Sequence, residues 1–160
     1  MFKELRELGR RAAVDKSVWR DAELWLGLVA AAVAGWAGTS PVVVAQVRHH
    51  LGDILTVASI SFGFMATSFV FFVQATRAAK GSKDEVKIRR LVLWHALTSV
   101  SLVFLLAYTI GWWFLGALHG PLPKSVFDPL AVAGLAFLVV YSGGQILNHV
   151  MNLWWYATDL

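Results

Sequence analysis

The chain has 160 residues, enough for one domain, of which 58% are hydrophobic and only 15% charged, against about 25% charged in soluble proteins. Its net charge is +4, and with no cysteine it excludes disulfides, thiol chemistry and iron–sulfur ligation.

Four stretches hold no Asp, Glu, Lys or Arg: Leu24–Val47, Ile54–Thr76, Leu91–Pro123 and Pro129–Thr158. A bilayer crossing takes about 20 mostly apolar residues, and in lipid their backbone groups must be satisfied within the segment. The expectation is an all-α, polytopic membrane protein. It has a bundle of four transmembrane helices over 24–40, 53–76, 91–117 and 129–153, within a membrane domain of residues 22–160.

Lys3, Arg6, Arg10, Arg11, Lys16 and Arg20 precede the first stretch, and Arg77, Lys80, Lys83, Lys87, Arg89 and Arg90 lie between the second and third. The other two connections hold only Arg48 and Lys124. Cytoplasmic loops carry the excess of Lys and Arg, so the N-terminus and the middle connection belong inside. An even number of spans returns the C-terminus to that side. The basic charge is thereby explained by topology and by attraction to anionic lipid, without a nucleic-acid partner. Small size and plain topology point to a bacterial inner membrane.

In chain order, residues 1–21 intersperse Phe2, Leu5, Leu8, Ala12 and Trp19 with charges of both signs. This is the pattern of a basic amphipathic helix on the inner surface, or of a charged extension of the first span. In that span Gly27, Ala31, Gly35 and Gly38 recur at three or four residues, so a neighbouring backbone can approach closely. Ser40-Pro41 reads as an N-cap followed by proline at the first helical position. The stretch 41–51 is then a short outer helix or the start of a longer second one, with a break at Gly52 and Asp53 as the next cap. Gly81 suits the stop of the second span, and Ser82 with Glu85 forms a capping box for the third. His119–Pro123 ends helix three outside, and Asp128-Pro129 offers a cap and an N1 proline for helix four.

The halves also resemble one another. Residues 53–62 (DILTVASISF) and 128–137 (DPLAVAGLAF) share five of ten identities. Trp19 aligns with Trp94 at the same offset, and Gly35-Trp36 with Gly111-Trp112 one residue further on. A duplicated two-helix hairpin would give a parallel repeat about an axis along the membrane normal.

Polar residues within spans face protein or water rather than lipid. Thr56, Ser59, Gly63, Thr67 and Gln74 fall on one stripe of helix two at 100° per residue, opposite Phe62, Phe69, Phe71 and Phe72. Helix three offers Thr98, Ser101, Tyr108 or Thr109, Trp112 and Gly116. Helix four offers Gly134, Tyr141, Gln145, Asn148 and Asn152. Such stripes either bind helices together or line a wetted path. The three carboxamides of helix four, costly to bury unpaired, favour a path or pocket in the cytoplasmic half.

His95 and His149 stand at matched depth near the inner ends of helices three and four, the placement that axial ligation of haem b requires. His49, His50 and His119 lie near the outer surface. Asp53 and Asp128 are explained as caps, and no metal site or catalytic constellation is expected. The eight tryptophans form belts, Trp19, Trp25, Trp94, Trp154 and Trp155 inside and Trp36, Trp112 and Trp113 outside. The functional expectation is a homo-oligomer in the lipid bilayer that conducts ions between protomers, and not an enzyme. The alternatives are an accessory subunit holding a cytoplasmic protein through Lys83, Lys87, Arg89 and Arg90, and a small haem b electron carrier.

Overall fold

The structure, a computed structural model, describes residues 22–81, 85–117 and 124–158. Those residues form five helices: α1 (Ala22–Ala37), α2 (Pro41–His49), α3 (Leu51–Ala78), α4 (Glu85–Ala117) and α5 (Lys124–Thr158). Three stretches are long and apolar enough to cross a membrane, Leu51–Ala78, Glu85–Phe114 and Val126–Trp154. α1 is equally apolar but has 16 residues, about 24 Å of helix. The basic amphipathic segment expected over residues 1–21, Lys83 and the 118–123 connection lie outside the described residues.

Local chemistry sets the boundaries. Ser40 is extended (φ −85, ψ 123) and Pro41 opens α2, where its missing N–H forfeits nothing. The cap works through the Ser40 backbone, whose carbonyl accepts the Val44 N–H at 3.1 Å. The break into α3 falls at His50, not at Gly52. Asp53 is therefore not the cap of that helix: it sits in the first turn, and its carboxylate meets His50 Nδ1 at 2.9 Å. A similar correction applies to α5, which starts at Lys124 and carries Pro129 inside it. Proline there loses one bond, to the carbonyl of residue 125, in a turn that has few bonds to lose. Asp128, freed from capping, pairs with Arg48 of α2 at 2.9 Å. Past the end of α3, Gly81 takes the left-handed conformation (φ 83). Its N–H donates to Glu85 at 2.7 Å.

The tertiary contacts follow a heptad rhythm. The buried residues of α4 include Leu91, His95, Thr98, Leu102, Leu105, Thr109 and Trp112, at alternating steps of four and three. On α5, Leu135, Ser142, Gln145 and His149 keep the same rhythm, with half-buried Leu138 between them. Seams spaced this way mesh knobs into holes at a shallow crossing angle. α3 buries only Leu51, Ala58 and Met65, one residue in seven. A single line of contact is all it gives its neighbour.

The helices form an open row, all-α as expected, with three of them long enough to span and α1 shorter. α5 packs between α1 and α4, α4 between α5 and α3, and α1 scarcely meets α3. Outside its seam with α4, α3 presents Val57, Ile60, Phe64 and Phe71 outward rather than to α1. Close approach of α1 to α5 uses the expected glycines, Gly27 under Phe137 and Gly38 against Pro129 and Val132. Exchanging the two halves maps the α1–α5 contact onto α4–α3, and both pairs pack. The same exchange maps α1–α3 onto α4–α5, of which only the second packs.

Candidate functional site

The α4–α5 seam changes character along its length. The half towards Trp112 is apolar: Leu105, Trp112, Ala131, Val132 and Leu135 cluster with Leu51, Ala58 and Val44. Tyr108 fixes the register there. Its phenol fills the space a Cβ would occupy at Gly134, and its hydroxyl donates to the carbonyls of Leu130 (3.3 Å) and Ala131 (3.2 Å). The half towards His95 and His149 is polar. His95, Thr98, Ser142, Gln145 and His149 are all buried along it.

Its centre is a pair of imidazoles at the junction of α3, α4 and α5. His95, wholly inaccessible to solvent, has Nε2 at 2.6 Å from the Met65 carbonyl of α3 and Nδ1 at 3.0 Å from His149 Nε2. A carbonyl only accepts, so Nε2 of neutral His95 carries the hydrogen and Nδ1 is left as an acceptor. His149 must then donate from Nε2, and its own Nδ1 is a bare lone pair. That atom is buried without a partner, as are Ser142 Oγ and Trp112 Nε1 among the described residues. Phe69 and Phe72 of α3 close the pair off, with ring centroids 6.0 Å and 4.8 Å from that of His95. Ser68 Oγ approaches His95 Nε2 at 3.4 Å, but its shorter contact is to the Phe64 carbonyl at 2.9 Å.

The pair as packed does not fit axial ligation of haem. Two metal–nitrogen bonds of about 2 Å set end to end need nitrogens about 4 Å apart, with a porphyrin plane between the rings. Here the nitrogens are 3.0 Å apart in a direct hydrogen bond, and the second nitrogen of His95 is held by Met65.

The polar stripe of α3 is not brought together with those of α4 and α5. Thr56, Ser59, Gly63, Thr67 and Gln74 are all exposed on the outer surface of α3. The hydroxyls of Thr56 and Thr67 turn back to the carbonyls of Gly52 and Gly63, each at 2.8 Å. Thr98, Ser101 and Gln145 are buried on the other side, between α4 and α5, where Thr98 and Ser101 likewise bond their own helix. Tyr141, Asn148 and Asn152 are half-buried, Tyr141 stacked on Phe137 and Asn152 donating to Asn148 at 3.1 Å. Of the basic hairpin, Arg89 is engaged by Glu85 at 2.6 Å, while Lys87 and Arg90 are exposed.

Sequence reasoning missed Ser142, which the four-and-three spacing of Leu138, Ser142, Gln145 and His149 would have exposed. At the outer end a cleft of about 160 Å³ is lined by Arg48, Leu51, Trp112 and Trp113. Among the described residues no group of three or more His, Asp or Glu stands together as a metal site. No protein-family model matches the chain, and neither the curated proteins nor the solved structures include a significant match to it.

Proposed function

We propose that the chain is a four-span subunit of a bacterial inner membrane, with both termini cytoplasmic, that assembles with copies of itself and conducts ions between protomers. The carrying observation is the exposed stripe of α3. Thr56 to Gln74 is 18 residues, about 27 Å of helix, nearly the full hydrocarbon thickness of about 30 Å. Hydroxyls and a carboxamide on the outer face of a span favour cover by protein or water over lipid. Small residues on that stripe, Gly63 and Ser59, suit close approach of a second copy. α1 supplies the fourth span, since it is apolar, lies along α5 and follows the basic N-terminal segment. One row of helices encloses no conduit of its own, so a path between protomers in a closed ring is the economical arrangement. Arg77 and Lys80, exposed just past Gln74, make the inner mouth basic and favour anions. Planar-bilayer recording of the purified oligomer tests this. Replacing Thr67 and Gln74 together with leucine is expected to lower conductance, and unchanged currents would remove the path from α3.

A second reading is favoured by the exposed cations at the ends of α3 and α4. Arg77 and Lys80 near the end of α3 and Lys87 in the first turn of α4 are all exposed, basic groups that suit an acidic cytoplasmic partner of a non-conducting subunit. It predicts a co-purifying protein that is lost when Lys87 and Arg90 are neutralised.

A further inference from the structure

The exposed stripe of α3 has a counterpart on α5 that its own protomer does not bring to it. Thr56, Gly63 and Thr67 are spaced by seven and four residues, and so are Tyr141, Asn148 and Asn152. Both helices run from the apolar cluster around Trp112 to the imidazole pair, so they are parallel. Depth is fixed by the bridge through His95, which meets the Met65 carbonyl of α3 and His149 of α5 and so sets those two residues level. Thr67 is two residues beyond Met65 and Asn152 three beyond His149. The two sets therefore agree in depth to within one residue, about 1.5 Å of rise. Within one protomer they point apart. The α3 stripe lies opposite the seam of Leu51, Ala58 and Met65. Tyr141, Asn148 and Asn152 are half-buried on the strip of α5 between the residues that meet α1 (Phe137, Gly144) and those that line the α4 seam (Gln145, His149).

The two sets also differ as contacting surfaces must. α5 offers bulk where α3 is small, and nothing stands within 4 Å of a Cβ built on Gly63. Among the described residues the Asn148 and Asn152 carboxamides bond only each other, at 3.1 Å, so N–H groups of both remain to donate. Thr56 and Thr67 give their hydrogens to their own helix and keep lone pairs that accept. A ring of more than two copies needs two different surfaces on each copy, and rotation about the membrane normal leaves depth unchanged. Pairing α3 with itself would instead set acceptor against acceptor. We infer that the α3 stripe seats on this strip of α5 in the next copy, Thr56 beside Tyr141, Gly63 beside Asn148 and Thr67 beside Asn152. This head-to-tail contact closes the ring; it rests on the reading above that copies of the chain assemble in the membrane. Carboxamides left against lipid are costly, and Gly63 lets the partner helix come close enough to satisfy them. α1 and α4 flank α5 and scarcely meet, so a helix over the strip rests in the groove between them. The path between protomers then runs along this contact, with hydroxyls from one copy and carboxamides from the next.

The chain has no cysteine, so introduced pairs report the contact in intact membranes without background. Iodine takes two electrons and two protons from a pair of thiols, and the disulfide forms only where the Cβ atoms come within about 4.5 Å. Oxidising the double variant Thr67→Cys with Asn152→Cys is expected to give a ladder of covalent multimers on a denaturing gel. Mixing the two single variants should give covalent dimers, and either one alone should give none. Gly63→Cys with Asn148→Cys should behave in the same way. Thr67→Cys with Val150→Cys, at similar depth on the exposed opposite side of α5, should stay monomeric. Dimers from Thr67→Cys alone, without the Asn152→Cys product, mean that α3 pairs with itself and overturn the inference while leaving self-assembly in place. Loss of both thiols with no gain in mass places them in one protomer and overturns it as well. So does an oligomeric particle that yields no cross-link, whereas a monomeric particle removes the assembly beneath it. A full ladder from a protein that passes no current keeps the contact and removes the conduction. Helix content and particle size of the unoxidised variants separate a misplaced contact from a lost fold.

Discussion

The Tyr108–Gly134 contact gives the sharpest test of how α4 is seated on α5. Tyr108→Phe removes a hydroxyl that donates to two carbonyls at 3.2 and 3.3 Å, long bonds shared by one hydrogen. Hydrogen bonds between membrane helices average about 0.6 kcal/mol and reach about 1.7, and a shared one belongs at the low end. Gly134→Ala is different in kind, because the new methyl must occupy the volume of the phenol. Overpacking of this sort costs about 1–3 kcal/mol. The nearest obstructing atom is the hydroxyl oxygen itself, so deleting it first makes room for the methyl. The double variant is therefore expected to be more stable than the sum of the two losses allows, by about 0.5–2 kcal/mol of coupling. Reversible unfolding in mixed detergent micelles, followed by circular dichroism, measures all four corners of the cycle. Additive losses would mean that Tyr108 is not wedged over Gly134, and the register of the outer seam would have to be redrawn.

Three further outcomes follow from the same geometry. The Arg48–Asp128 pair joins α2 to α5 with side chains 37% and 19% exposed, so breaking it with Asp128→Asn costs about 0.5–1 kcal/mol, less at high salt. The swapped pair Arg48→Asp with Asp128→Arg should recover most of that. His149→Leu leaves His95 Nδ1 buried without a donor and costs about 1–3 kcal/mol in the same unfolding assay. His149→Gln, which keeps a donor near that position, should cost less, and equal losses would discount the hydrogen bond. Leu102→Ala opens a cavity at a site only 2% exposed and is expected to lose about 2–5 kcal/mol.

Much of the architecture was legible because lipid imposes simple rules. Runs without charge gave α3, α4 and α5, and Ser40-Pro41 gave the start of α2, though not whether it ran on into α3, since capping and proline chemistry are local. His95 and His149 were matched in depth from their distances to the inner helix ends, and they meet. What failed was whatever depended on one helix choosing a neighbour. The stripe of α3 and the stripes of α4 and α5 look alike in sequence, yet one faces out and the others face each other. Periodicity places residues on a common face without saying what covers it. The order of the row was not legible for the same reason, because which helices touch has no signature in any one segment. Asp53 and Asp128 read as caps because a cap signal is short, whereas Arg48 lies 80 residues from Asp128 in the chain.

These placements leave two polar systems separated by the thickness of the row, and they make opposite demands on a recording experiment. The α3 stripe can conduct only where a second copy covers it, so its contribution requires the oligomer. Thr67→Leu should lower conductance without loosening the protomer, since Thr67 is exposed and bonds only its own backbone. Gln145 is buried between α4 and α5, and Gln145→Leu puts an apolar group of similar size into a polar seam. If the path runs between protomers, that change should leave unitary conductance untouched. The reverse pattern, with conductance lost on Gln145→Leu and kept on Thr67→Leu, would place the path inside the protomer. In that case the apolar outer half of the seam would have to open, and Leu105, Ala131 and Leu135 would be the residues that part.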